Sequence, residues 1–272
     1  MIYVTGDIHG DISRFYTRNF PEKKGLTKSD YLIICGDFGL VWDYRGETPE
    51  EKDRLNYLDN MPCTVLFCDG NHENFDRLNQ YPIGEWNGGL VHVLRPNVLH
   101  LMRGEVFDID GRRTFAFGGA ASHDIQGEAT AEELKEDYTA GVLRPDDPDF
   151  DMKCYKLRKN GIFTRIEGMS WWRDEMPSRL EMENGRQNLA KVGGKVDLII
   201  SHDMPTSDLE SYYSSFSGYV VEDPEINVLN RYLEEIKQNT EYKKWYFGHH
   251  HADRQINEKD TLIYEKVEQV EW

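Results

Sequence analysis

Five times along this chain a short apolar run stops at a small residue, and a side chain able to bind a metal follows at once. Ile2-Tyr3-Val4 leads to Gly6-Asp7-Ile8-His9-Gly10, and Tyr31-Leu32-Ile33-Ile34-Cys35 leads to Gly36-Asp37. Thr64-Val65-Leu66-Phe67-Cys68 leads to Gly70-Asn71-His72-Glu73. Leu198-Ile199-Ile200 leads to Ser201-His202-Asp203, and Trp245-Tyr246-Phe247 leads to Gly248-His249-His250-His251. Continuous apolar runs of this length fit strands buried on both faces. Glycine at the exit allows a tight turn and close approach of backbone to a ligand.

Helix signals lie between the strands. Thr48-Pro49-Glu50-Glu51 offers an N-cap, a proline at N1 and a glutamate at N3, with Leu55 and Leu58 on one face beyond. Thr130 with Glu133 and Ser178 with Glu181 are further capping boxes, and Asp223-Pro224 opens a segment of helical spacing from Val228 to Ile236. Strands alternating with helices predict an α/β fold with a largely parallel or mixed sheet covered by helices. Ligands in such sheets gather beyond the carboxyl ends of the strands, where these polar clusters fall.

Charge narrows the partners. With 49 acids against 32 bases the chain carries −17, a field that repels duplex nucleic acid and anionic membrane at long range. No run is long enough to span a bilayer. The start of the chain reads as a strand rather than a leader, and the four cysteines contain no Cys-x-x-Cys pair. The expectation is a cytoplasmic protein with reduced thiols. Residues 124–185 differ in texture, with the acids Asp146, Asp147 and Asp149 followed by Trp171-Trp172. They lack a long apolar run, so residues 1–272 are read as one domain with a cap-like insertion at about 124–185.

A lone Asp or His after a strand is more often a cap than a ligand. Five clusters after five comparable strands are harder to dismiss. Together they provide the mixed oxygen and nitrogen donors that suit borderline first-row divalent metals. In order and composition the clusters resemble the motifs of the calcineurin-like metallophosphoesterases, from residue 6 to residue 251. The resemblance implies two mixed β-sheets packed as a sandwich and flanked by helices. It implies two divalent ions (Mn, Fe, Zn or Ni, with Mn expected to serve in vitro), the first held by Asp7, His9, Asp37 and His251. The second would take Asp37, Asn71, His202 and His249, with Asp37 as the bridge. A hydroxide between the ions would attack phosphorus, and His72 would donate a proton to the leaving oxygen or steady the transition state.

The chain departs from the family at informative places. Where phosphoprotein phosphatases continue the second motif with Asp-Arg, this sequence has Leu40 and Val41, which removes the acid that orients the histidine and an arginine that grips phosphate. Asp43, Glu73 or Asp69 are the candidates to orient His72 instead. Ser201-His202-Asp203-Met204-Pro205 is similar to the corresponding motif of lariat-debranching enzymes, as, loosely, is the run Phe117-Gly118-Gly119-Ala120-Ala121-Ser122. Those enzymes typically lack the first-motif aspartate, whereas Asp7 is present.

Other features take plainer readings. His250 would face away from the ligands on an extended strand. His123 reads first as a loop residue, with a place in the cleft as the alternative. Trp171-Trp172 read first as packing for the insertion, with an aromatic wall over a substrate ring as the alternative. The run from Ser211 to Gly218 is either a lid or an ordinary loop, and Arg77, Arg45 and Arg173 read as surface arginines. No basic patch with interleaved aromatics is expected, which disfavours a nucleic-acid track. The reading is a phosphoesterase acting on a phosphomonoester or small phosphodiester. A nuclease or RNA-debranching-like phosphodiesterase is the first alternative, and a non-catalytic metal-binding scaffold the second. Oligomeric state stays open.

Overall fold

The computed structural model describes residues 1–125, 127–130, 132–133, 137, 139–215 and 226–272. One sheet contains β1 (Ile2–Thr5), β2 (Tyr31–Cys35), β3 (Thr64–Cys68), β4 (Ile83–Trp86), β5 (Gly89–Arg95) and β6 (Val98–Leu101). The other contains β7 (Glu105–Ile109), β8 (Arg112–Phe117), β9 (Leu198–Ser201), β10 (Lys244–Phe247), β11 (Arg254–Gln255) and β12 (Asp260–Leu262). Strand β13 (Glu268–Gln269) returns to the edge of the first sheet beside β1. The spatial orders are β13-β1-β2-β3-β6-β5-β4 and β11-β12-β10-β9-β8-β7. Parallel pairs fill the middle of each sheet and antiparallel pairs its edges, so both sheets are mixed.

Each motif-bearing run is a central strand buried on both faces, and alternation sorts its side chains between two cores. In β2, Ile33 and Cys35 point between the sheets while Leu32 and Ile34 point outward. In β3, Leu66 and Cys68 point inward, Val65 and Phe67 outward. Strand β10 does the same on the second sheet, with Tyr246 inside and Trp245 and Phe247 outside. Burying both faces is what removes the polar alternation that a half-exposed strand would show.

Helices cover the outer faces. α1 (Pro49–Asp59) brings Leu55 and Leu58, and α2 (Phe75–Leu78) brings Phe75 and Leu78, to the first sheet's outer core. α3 (Phe150–Lys159) lies within residues 124–185, where, among the described residues, Ile125, Val142 and Trp171 form a small buried cluster of their own. α4 (Arg179–Lys191), α5 (Thr206–Ser214) and α6 (Val228–Asn239) pack on the second sheet through Met182, Leu209, Leu229 and Leu233. Among the described residues no helix is long and apolar enough to cross a membrane.

Local signals behave as the sequence expects at three caps. Thr48 and Glu51 form a capping box on α1, as do Ser178 and Glu181 on α4, and Thr130 exchanges hydrogen bonds with Glu133. Asp223-Pro224 lies outside the described residues; α6 is capped by Asn227, whose side chain accepts from the Leu229 and Asn230 amides. Of the run from Ser211 to Gly218, the residues through Ser214 belong to α5, and residues 216–218 lie outside the described residues. Trp171 and Trp172 are buried, and Trp172 packs edge-on against Trp42 while its Nε1 donates to Asp76. The aromatic-wall alternative therefore fails. Trp171 packs on Ile125 and Val142, and Trp172 joins the first sheet's outer core.

Candidate metal centre

Strands β1, β2, β3, β9 and β10 release their five motifs at one rim of the sandwich. The loops are stitched together: the His9 amide donates to Asp37 O, the His249 amide to Asp7 Oδ1, the Gly248 amide to His202 O and the His72 amide to Asp37 Oδ1. Space is as tight as those bonds require. A methyl group at Gly36 would overlap the His202 ring, and one at Gly70 the Asp37 carboxylate. His9, Asp37, His249 and His251 all take positive φ (44°, 46°, 70° and 47°), four of the seven non-glycine residues described with that backbone. Such conformations cost free energy and cluster where a fixed side-chain direction is needed.

Of the two expected sets, the first meets as one compact group, and the second is joined to it through Asp37 and His202. In the first, ligand atoms of Asp7, His9, Asp37 and His251 lie within 4.8 Å of one another. His251 Nε2 is 3.2 Å from Asp7 Oδ2 and 3.0 Å from His9 Nε2, which is 3.7 Å from Asp37 Oδ2. In the second, Asp37 turns its other oxygen, Oδ1, to 3.3 Å from His202 Nε2. His202 and His249 stand edge to face, with ring centroids 5.0 Å apart. His202 Nδ1 donates to Cys35 O at 2.8 Å, which holds the ring with Nε2 toward Asp37. Asn71 Nδ2 donates to Ser122 Oγ, which leaves Oδ1 as its remaining polar atom.

Three buried atoms of the second set have no hydrogen-bond partner: Asn71 Oδ1, His202 Nε2 and His249 Nε2. A buried acceptor left without a donor is expensive, on the order of 1–3 kcal/mol each. His202 Nε2 stands beside Asp37 and the His249 ring stands against His202, so these open atoms belong to neighbouring loops at the Asp37 rim, where a cation would satisfy them. The electrostatics agree. Burial opposes charge on His202, yet the carboxylates of Asp37 and Asp7 hold its pKa up to about 10, so without metal a proton stands on Nε2 facing Asp37, in the place a cation would take on displacing it. Burial also opposes charge on Asp37, but His202, His72 and His9 keep it well below the usual carboxylate range. His249 is pushed well down by burial and by its neighbouring histidines, the neutral form in which imidazole binds metal.

His72 stands beside the first set, its ring edge-to-face with His9 at 4.8 Å and tilted on Trp42 at 5.6 Å. None of the three expected carboxylates orients it. Asp43 is taken by Arg45, Glu73 by the Phe38 and Gly39 amides, and Asp69 by His100 and Arg103. The contact comes instead from the insertion: Arg165 Nη2 lies 3.3 Å from His72 Nε2. Arg165 is buried and forks onto Asp124 at 2.9 and 2.7 Å, with Nη1 on Ser170 O. Arg14 is a second unforeseen contributor, its Nη2 donating to Asp7 O at the end of β1.

The remaining residues fall as follows. His250 leaves the ligand set and approaches Asp203 Oδ1 at 3.4 Å, but not through strand alternation, since β10 ends at Phe247 and the triplet is a loop. His123 is a loop residue, as first read, and its ring also stacks on His249 at 4.4 Å, at the rim of the site. Arg77 is locked to Glu51 and Arg45 to Asp43, away from the donors. The expected absence of a basic patch is corrected. Around α3, Lys156, Arg158 and Lys159 are exposed together with Met152, Tyr155 and Phe163, and Arg165 lies under the Phe163 ring. The exposed cations are these three, since Lys153 pairs with Asp147 and Arg165 is buried on Asp124, and Asp146, Asp147, Asp149 and Asp151 lie beside them in sequence. The helical wrapping of those cations onto one element is what the global charge hid.

Asn71 is steadied from behind by a chain in which Ser122 Oγ donates to Glu175 Oε2 at 2.6 Å. Burial lifts the Glu175 pKa from its ordinary 4.5 to about 7 despite the bonds from Ser122. The folded protein therefore keeps a proton that the unfolded chain has lost between those pH values. Stability from the neutral form is complete below about pH 4.5 and falls as pH rises through 7, by roughly 3 kcal/mol in all. Urea unfolding of the metal-free protein at pH 5 and pH 8 should show wild type losing that much more than Glu175→Gln. Parallel losses in the two proteins would refute the assignment.

Comparison with known proteins places this geometry in context. The sequence profile described as calcineurin-like phosphoesterase matches residues 1–253. A lariat debranching enzyme of Drosophila pseudoobscura pseudoobscura is 24% identical over 270 residues, covering 92% of this chain and 42% of that protein. The lariat debranching enzyme of Schizosaccharomyces pombe is 32% identical over 130 residues, 44% of this chain and 26% of that one. The chain thus spans less than half the length of these curated relatives. Among solved structures, a phosphopantetheinyl hydrolase from Mycobacterium tuberculosis aligns over 97% of this chain and 89% of its own, at 14% identity and a TM-score of 0.40.

Proposed function

The chain belongs to the calcineurin-like phosphoesterases, a family of metal-dependent phosphoester hydrolases, and on that premise we propose that it cleaves phosphoesters at a two-metal centre bridged by Asp37. The observation that carries this reading is the division of the Asp37 carboxylate, with Oδ2 toward His9 and Oδ1 toward His202, whose Nε2 has no hydrogen-bond partner. Asp7, His9, Asp37 and His251 would hold one ion, and Asp37, Asn71, His202 and His249 the other. Mixed carboxylate, amide and imidazole donors fit Mn, Fe, Zn or Ni. When bound, such a pair supplies Lewis acidity and lowers the pKa of a water toward neutrality.

This chain's residues do the rest. Arg165 can only donate, so His72 Nε2 accepts from it and the imidazole proton sits on Nδ1. His72 then serves as a hydrogen-bond donor to the phosphoryl group as charge develops, the steadying role rather than proton transfer. Arg14 and the left-handed loops fix the ligand directions before substrate arrives.

Substrate class divides into two readings. The −17 charge favours a small phosphomonoester or diester, since a long polyanion gains little from such a surface. The cationic, aromatic face of α3 and the resemblance to lariat debranching enzymes favour a phosphodiester in RNA. A panel with Mn²⁺ separates them: aryl phosphate, bis-aryl phosphate, dinucleotide, linear oligoribonucleotide and a 2′–5′-branched one. The first reading expects the highest kcat/KM on the small esters, with no change on replacing Lys156, Arg158 and Lys159 together by alanine. Under the second, that triple variant raises KM for the oligonucleotide and flattens its salt dependence by up to about three phosphate contacts.

A further inference from the structure

We propose that Arg165, carried by the insertion and braced by Asp124, is the positioning residue for His72. It thus takes over the orienting role left open where the second motif continues with Leu40 and Val41. The inference rests on the reading of His72 given above. Leu40 and Val41 are both buried in the first sheet's outer core, so neither position offers a polar group to the imidazole. The three nearby carboxylates are committed elsewhere. Arg165 Nη2 lies 3.3 Å from the ring's Nε2, a hydrogen-bond contact to that nitrogen.

The rest of the insertion is arranged to hold that guanidinium still. Asp124 takes Nε and Nη2 in a fork, a geometry that fixes the guanidinium plane as well as its charge. Ser170 O takes Nη1, while Ser170 Oγ accepts from the Ile166 amide and closes the turn behind it. The Arg165 backbone is pinned too, since its carbonyl accepts from the Leu143 amide in a short bridge. Trp171, fully buried on Ile125 and Val142, anchors the same loop, and Trp172 reaches Trp42, whose ring packs on His72. The imidazole is therefore contacted at Nε2 by Arg165 and on its face by Trp42, which Trp172 meets edge-on. Lysine cannot reproduce a fork and a third bond at once, so the arginine is specific to this task.

A double-mutant cycle tests this in the full-length Mn²⁺-loaded enzyme, using the best substrate of the panel above. Arg165→Gln should lower kcat by roughly 10–100-fold, with metal content kept and KM changed far less. Asp124→Asn, at a half-exposed carboxylate, should lower it less and serves if Arg165→Gln does not fold. In a His72→Ala background neither change should have further effect, because the residue they position is gone. Losses that persist in that background would overturn the inference, since Arg165 would then act on substrate or on the fold directly. If His72→Ala itself leaves kcat intact, it is the reading of His72 that fails. Independently of activity, ¹⁵N–¹H correlation of ¹⁵N-histidine-labelled, Zn²⁺-loaded protein should show His72 as the Nδ1–H tautomer. Arg165→Gln should mix the tautomers; an unchanged His72 signal would contradict the positioning role.

Discussion

Asp37→Asn should abolish hydrolysis and weaken both ions together. The carboxylate addresses two donor sets with different oxygens, 3.7 Å from His9 Nε2 and 3.3 Å from His202 Nε2. An amide is isosteric but neutral, and its nitrogen end cannot accept or ligate, so one set loses a donor and both lose a negative charge. It also stands against the His72 amide, which Oδ1 now accepts at 2.8 Å; an amide turned the wrong way would meet that N–H donor to donor. Metal analysis after dialysis should find less than one ion per chain, against two in wild type. A variant that lost activity but retained both ions at wild-type affinity would remove Asp37 from the bridging role.

His72→Ala should separate chemistry from metal binding. The His72 ring contacts His9 edge-on, Trp42 and Arg165, and it is the backbone amide of His72, which an alanine keeps, that reaches the ligand set at Asp37 Oδ1. Metal content should therefore stay close to wild type while kcat falls by roughly 10²–10³-fold, the range for losing one preorganised donor to developing charge. The fall should be similar for p-nitrophenyl and alkyl esters, because a hydrogen bond to the phosphoryl group acts on both. A loss that nearly vanishes with p-nitrophenolate as leaving group would instead mean proton transfer from His72.

What was legible in the sequence follows from where the information lies along the chain. Strands β1, β2, β3, β9 and β10 are short runs buried on both faces, so local composition announces them. The ligand-type residues sit directly at their ends, and the order of the motifs was enough to bring them to one rim. The partner of His72 was not legible, because Arg165 is 93 residues away and reaches it only after the insertion folds. Asp43 and Glu73 looked better placed by proximity, but Asp43 has a nearer guanidinium and Glu73 faces two backbone amides. The burial of Trp171 and Trp172 was the favoured reading, and it now has a mechanical meaning, since those rings seat the loop that carries Arg165.

The left-handed backbone at His9, Asp37, His249 and His251 is equally invisible to pattern reading, which places His250 correctly for the wrong reason. Asp and His tolerate that region better than most residues, but nothing local demands it. It is imposed by loops that bond to one another across the rim. Strain of this kind is retained where it aims side chains at a common point, and here the common point lies beside Asp37.

The most direct measurement is a crystal soaked in Mn²⁺ with data collected at the manganese absorption edge. The account predicts two anomalous peaks about 3.5–4 Å apart on either side of the Asp37 carboxylate. One should be ringed by Asp7, His9 and His251, the other by Asn71, His202 and His249. An anomalous map with no manganese beside Asp37 would contradict it.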